Sequence, residues 1–312
     1  MNAVNAAAHR ALANADAVLA QKGRSFHWAR RLLGTRHADR ATRLYGFCRR
    51  IDDIADESSS PVVARAALAA IGVAIAGGKA SDSEPVVADM LALMVECSIA
   101  PAIVLELLHG VDSDLDPVRF VDEAELLRYC YRVAGTVGLM MCKVLDVDNP
   151  QALHHAIDLG IGMQLTNICR DVCEDAAIDR RYVPATLIGV LAPRLLVDPG
   201  PALQPKLRSA VIALLACADR YYRSGEQGLV YLPLRARAGM LVAGRVYRAI
   251  GTQLRRADYA CWQGRAVVPT RTKAGLTVLA VLTLASHVEY WHPSLRHDQT
   301  LHLLLQGLPY VD

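Results

Sequence analysis

Apolar residues recur at three- and four-residue intervals along almost the whole chain, and no run alternates as a half-buried strand would. That periodicity confines the fold to packed helices. It predicts helices near residues 3–21, 25–33, 37–57, 61–76, 85–98, 101–110, 122–146, 150–176, 204–232, 236–262 and 272–288. The segments between them carry helix stops and starts. Gly77-Gly78 through Ser83 is a loop, and Asp112 to Asp116 a short acidic turn. Asp148-Asn149-Pro150 places proline in the first turn of a helix, and Asp198-Pro199-Gly200-Pro201 is a clear break. Ala and Leu dominate, which favours helix on propensity alone, and 53% of the 312 residues are apolar, enough for one large core. The expectation is an all-α, single-domain bundle.

Two of the helical runs end in acidic ladders. Asp52 and Asp56 stand four apart in Arg49-Arg50-Ile51-Asp52-Asp53-Ile54-Ala55-Asp56-Glu57, so they share one helix face. Asn167, Asp171 and Asp175 form a second four-residue ladder, preceded by an apolar stretch from Ala156 to Met163 in which Asp158 is the one charged residue. Like charges at this spacing weaken a helix by a few tenths of a kcal/mol. A solvated helix face is the bland reading of either ladder taken singly. The pair, each with an arginine beside it (Arg49 and Arg170), suits hard divalent cations that bridge to phosphate oxygens.

Net charge is +3, with cationic and anionic residues nearly balanced, so nothing points to nucleic acid. None of the eight cysteines forms a C-x-x-C pair, and they fall within apolar helical runs. Buried free thiols in a reducing cytoplasm are expected. The N-terminus lacks the basic start and apolar run of a signal peptide, and no stretch reaches the length of a membrane span. Ala274 to Ser286 comes nearest, as a core helix or a membrane-surface contact.

The helix at 122–146 has an unusual centre, Tyr129-Cys130-Tyr131-Arg132-Val133-Ala134-Gly135-Thr136-Val137-Gly138. Each mid-helix glycine costs about 1 kcal/mol relative to alanine, so it has a packing or a cavity reason. Either the small residues let another helix approach closely, or they open room for a long apolar ligand. In the second case Gly138→Leu shortens the accepted chain while the fold survives.

Several blocks together resemble the squalene/phytoene synthases, which join two prenyl diphosphates head to head. They are Gly23-Arg24-Ser25-Phe26, Leu44-Tyr45-Gly46-Phe47-Cys48 running into the first ladder, Tyr129-Cys130-Tyr131 to Gly138, Gln164-Leu165-Thr166-Asn167-Ile168 to Asp175, and Asp179-Arg180-Arg181-Tyr182-Val183-Pro184. The resemblance covers roughly residues 20–272, and the tail from Ala218 through Pro233 to Pro269 has the character of bacterial phytoene synthases. It implies an isoprenoid-synthase helical bundle around a central apolar cavity, with residues 1–275 as the synthase domain and 276–312 as a C-terminal extension. It implies a prenyltransferase using Mg²⁺, with Mn²⁺ as the alternate metal. Two geranylgeranyl diphosphates would condense through a cyclopropyl diphosphate to phytoene. A C30 synthase acting on farnesyl diphosphate is the second enzyme reading, and cavity length decides between them. A non-catalytic assembly protein is the third, and it is disfavoured because both ladders are intact.

By position, the resemblance assigns Asp52, Asp56, Asn167, Asp171 and Asp175 to the metal. It assigns Arg49, Tyr45, Tyr129 and Arg170 to catalysis, and Arg24, Ser25, Phe26, Val137, Gly138, Gln164, Tyr247 and Arg265 to the substrate. It further implies a cytoplasmic protein in peripheral contact with the inner face of the membrane, where downstream carotenoid enzymes would take the product. Lys22, Gly23 and Arg132 depart from the family pattern. The tail has no clear family counterpart. Its His287, His292, His297 and His302 are five apart, which is not a helical repeat, and Pro293 interrupts them. They read as scattered surface histidines rather than a metal site.

Overall fold

The computed structural model describes residues 30–79, 84–293 and 296–311. The helix expected at 3–21 and most of that at 25–33 lie outside the described residues. Among the described residues the fold is helical throughout, and its one β feature is an isolated bridge between Arg119 and Arg181.

Helix α1 (Thr35–Glu57) turns Leu44, Phe47, Ile51 and Ile54 to the core at three- and four-residue steps. Ser60 caps α2 (Pro61–Gly77) by accepting from the Val63 amide, with Pro61 in the first turn, and Gly78 ends it at φ 65°. Next come α3 (Pro85–Cys97), α4 (Pro101–Ser113) and α5 (Glu123–Cys130). The run expected as one helix at 122–146 is α5, a π-helical turn at Tyr131–Gly135 and α6 (Thr136–Val144).

Helix α7 (Pro150–Arg170) is the axis of the bundle and is buried on nearly every side. Helix α11 (Gln204–Gly228) lies along it, with α6, the π turn and α12 (Leu234–Arg256) on its other faces. The π turn and α6 meet α7 almost backbone to backbone. A Cβ on Gly138 would overlap the Ala156 carbonyl, and one on Gly160 would overlap that of Ala134. The mid-helix glycines therefore serve close helix approach.

The expected helix at 150–176 breaks at Asp171 (φ −104°, ψ 16°) and resumes as α8 (Val172–Ala177). The bonds Asp171 N–H to Asn167 O (2.9 Å) and Asp175 N–H to Asp171 O (2.8 Å) carry the ladder across the bend. Short helices α9 (Ala185–Ile188) and α10 (Arg194–Val197) fill a stretch the periodicity left blank. Helix α13 (Thr270–Ser286) packs on α12, and a 3₁₀ segment (Gln299–Leu305) returns the tail to the bundle. Leu301, Leu305, Leu308 and Val311 join the common core.

All eight cysteines are free, and Cys97, Cys130, Cys142, Cys169 and Cys261 are buried. His297 and His302 are not surface residues. They are 7% and 3% exposed and face Asp158 of α7.

Candidate active site

A cavity of about 430 Å³ runs through the bundle beneath the two ladders. From α1 it takes Ala41, Tyr45, Cys48, Arg49 and Asp52, one helix face read from bottom to mouth. The α7 side runs from Ala152 at the floor through Ala156, Gly160 and Gln164 to Asn167 at the mouth. Val137 and Gly138 come from α6, and Tyr247 and Met240 from α12. Apart from the mouth the wall is apolar, with His155 as its polar exception.

At the mouth one residue, Asp114, bears on both ladders. Partial desolvation, reinforced by Asp56, Asp114 and Asp53 against the pull of Arg49, pushes the Asp52 carboxyl up to about 7. Asp175 is likewise pushed up to about 7, by desolvation first and then by Asp171 and Asp114. Asp171 goes the other way. Burial would raise it, but Arg170 (Nε to Oδ1 2.7 Å) and Arg265 (Nε to Oδ1 2.8 Å) outweigh that and hold it below the usual carboxylate range. Arg49 pairs with Asp53, one turn along α1.

These carboxylates fit a divalent cation. Two are held in a state that disfavours their charge, which is the condition a bound cation relieves. Asn167 directs its Nδ2 to Gln164 (3.3 Å), while its Oδ1 is buried without a partner. A buried amide oxygen left unpaired costs about 1–3 kcal/mol, and a cation ligated by that oxygen would remove the cost.

Sequence reasoning missed Asp114, Tyr182 and Arg180 here. Asp114, in what read as a solvated acidic turn, accepts from Tyr129 (2.9 Å) and Tyr182 (2.8 Å). It bears on Asp52 and Asp175 alike, so it stands between the ladders. Arg180 reaches Asp56 (3.4 Å) and the Asp114 carbonyl (3.3 Å). The sequence signal available was the Asp179-Arg180-Arg181-Tyr182 block, which gives no hint of which side chain turns inward.

Tyr129 is buried beside this group, with Phe120 at 5.3 Å and Tyr182 at 5.0 Å between ring centroids, rather than on the cavity wall. Burial and then Asp114 hold its hydroxyl well above the ordinary tyrosine range, so it stays protonated. Tyr45, Arg49, Val137, Gly138, Gln164 and Tyr247 do line the cavity. Arg170 and Arg265 meet at Asp171. Arg24, Ser25 and Phe26 lie outside the described residues.

The squalene/phytoene synthase family model matches residues 19–272. The chain belongs to that family. It is 33% identical over 267 residues to a phytoene synthase of Pseudescherichia vulneris, covering 81% of this chain and 85% of that one. It is 35% identical over 240 residues to a phytoene synthase of Rhodobacter capsulatus, covering 75% and 70% respectively. Among solved structures it resembles a dehydrosqualene synthase (TM-score 0.79, 27% identity, 90% of this chain and 98% of that chain). A squalene synthase from Alicyclobacillus acidocaldarius shares the fold (TM-score 0.69, 17% identity, 81% and 95%). The family's isoprenoid-synthase bundle is thus the fold expected from the sequence.

Proposed function

We propose that this chain is a phytoene synthase, joining two geranylgeranyl diphosphates head to head and releasing diphosphate. The observation that carries the reading is a deep apolar cavity whose one charged end is lined by a residue of each ladder, Asp52 and Asn167, beside Arg49. Floor residue Ala152 and mouth residue Asn167 are about 22 Å apart on α7 at ~1.5 Å per residue. An isoprene unit contributes four chain carbons, or of order 5 Å from single bonds of ~1.5 Å, so four units match that depth. The curated relatives reported above are phytoene synthases. The likeness to a dehydrosqualene synthase keeps C30 synthesis from farnesyl diphosphate as the second reading.

Asp52, Asp56, Asn167, Asp171 and Asp175 would hold the divalent cation, Mg²⁺ or alternatively Mn²⁺, whose charge would stabilise the departing diphosphate. Arg49, Arg170 and Arg265 stand at the same mouth, where their guanidinium groups suit diphosphate oxygens. Below them the apolar wall excludes water from an allylic cation until the second chain attacks. Tyr45 of α1 and Tyr247 of α12 both face that space. The Tyr129–Asp114–Tyr182 group fixes a further carboxylate between the ladders, held by two tyrosine hydroxyls.

Purified protein incubated with Mg²⁺ and each diphosphate separately tests this. A C40 hydrocarbon from geranylgeranyl diphosphate is expected. A C30 hydrocarbon from farnesyl diphosphate with no turnover of the longer substrate would establish the second reading.

The product has no polar group, so a bilayer is its natural acceptor, and peripheral membrane contact follows. Among the described residues no helix is long and apolar enough to cross a membrane. Helix α13 nonetheless leaves Val278, Leu279, Val281 and Leu282 exposed, with Arg271 and Lys273 in its first turn. Such a face beside cations suits an anionic lipid surface. Val278→Glu combined with Leu282→Glu should reduce co-flotation with anionic vesicles severalfold and leave the melting temperature unchanged. Undiminished flotation would remove α13 from the contact.

A further inference from the structure

Away from the aspartate mouth, α7 carries a second polar cluster that the proposed reaction leaves unused. Asp158 is fully buried. Its Oδ2 accepts from Ser224 Oγ and from His297 Nε2 (2.7 Å), and its Oδ1 from His302 Nε2 (2.9 Å). His155, one turn before it, directs Nδ1 to Ser224 Oγ (2.8 Å). The rings of His297 and His302 lie 4.3 Å apart, and those of His155 and His297 5.2 Å apart.

Three observations point to a ligand here. Donor atoms of His155, Asp158 and His297 all lie within 4.8 Å of one another, and all three residues are buried. Two imidazole nitrogens, His155 Nε2 and His297 Nδ1, are buried with no partner. His302 sets its far nitrogen, Nδ1, against the Val311 carbonyl (3.4 Å). With its Nε2 on Asp158 Oδ1, His302 is placed as an outer partner that orients a ligating carboxylate. A buried carboxylate also needs a compensating positive charge.

We propose that His155, Asp158 and His297 bind a transition-metal ion, zinc in the first instance, that fastens the C-terminal segment to α7, with His302 bracing the Asp158 carboxylate from outside. Imidazole-rich sets favour zinc over magnesium, so the site is chemically distinct from the all-oxygen mouth. Ligands on bonds of about 2.0–2.1 Å stand roughly 3.3 Å apart around a tetrahedral ion. The 2.7 Å contact between His297 Nε2 and Asp158 Oδ2 must therefore open by about half an ångström, while the wider spacings of the triad close. His297 ligates through Nε2 as the neutral ring, its proton relocating to Nδ1, and His155 ligates through its unpaired Nε2, so each imidazole keeps one N–H and the ion is neither oxidised nor reduced.

The test uses the full-length chain purified without a metal-affinity step, in excess Mg²⁺ to occupy the mouth. About one tightly held zinc per chain is expected. Chelation should lower the melting temperature, and zinc, but not further magnesium, should restore it. His297→Gln should weaken zinc binding at least about tenfold, while Asp171→Asn keeps it. A wild-type protein that retains no zinc and shows no zinc-dependent melting shift overturns the proposal, leaving a clamp held by protons alone. So does a folded His297→Gln variant with wild-type affinity. If that variant does not fold, wild-type metal content and the zinc titration decide.

Discussion

Asp171→Asn and Asp52→Asn are each expected to lower turnover by at least roughly 10²–10³-fold at saturating Mg²⁺, the scale of losing one preorganised electrostatic contact at a developing charge. Their effects on the fold should differ in sign. Asp171 is bonded to Arg170 and Arg265, which hold its carboxyl low. Its ionised form therefore contributes stability above the unfolded carboxylate pKa, and that contribution is lost as pH falls. Asparagine removes it, and the metal-free protein should melt lower near neutral pH. Asp52 has the opposite shift, up to about 7. Its ionisation opposes folding increasingly as pH rises from the unfolded value through the folded one. Asp52→Asn should leave the metal-free melting temperature at pH 8 unchanged or higher. Calorimetry at pH 8 beside a turnover assay separates the two, and near wild-type turnover in either folded variant would remove that residue from the metal site.

The second large effect is structural. A Cβ at Gly138 would overlap the Ala156 carbonyl across the α6–α7 contact. Gly138→Ala gains just under about 1 kcal/mol of helix propensity, but backbone-to-backbone overlap sits at or beyond the ~1–3 kcal/mol usual for overpacking. A fall in melting temperature of several degrees is expected, at roughly 2–4 °C per kcal/mol in domains of this size, and a larger one for Gly138→Leu. Gly275 in α13 has nothing within 4 Å, so Gly275→Ala serves as the control that shows the propensity gain alone, with a melting temperature unchanged or higher. If Gly138→Leu instead melts like the parent and turns preference toward farnesyl diphosphate, Gly138 shapes the cavity more than it packs the helices.

What could be read in advance follows from how local each signal is. The α1 face from Tyr45 to Asp56 is a property of one helix, and four-residue spacing suffices to find it. The ladder at Asn167, Asp171 and Asp175 was legible too, although the bend at Asp171 was not, since no proline or glycine marks it. Asp114 was opaque because its role depends on Tyr129 and Tyr182 from two other segments. Read along the chain, Asp112 to Asp116 is only an acidic turn. His297 and His302 misled for a related reason. Their five-residue spacing fits no α-helix face, and both reach Asp158 across the core, His302 from a 3₁₀ segment and His297 from the stretch just before it. The π turn at 131–135 follows from packing against α7 rather than from local propensity.

In the proposed reaction the cavity takes two C20 chains beneath a metal-holding mouth. The most direct measurement offers the purified protein, with Mg²⁺, an equimolar mixture of farnesyl and geranylgeranyl diphosphates and identifies the extracted hydrocarbons by mass. A predominance of C40 product, abolished by chelator and in Asp171→Asn, is the predicted result. Mainly C30 product, or C40 product that persists in the chelated protein, would contradict it.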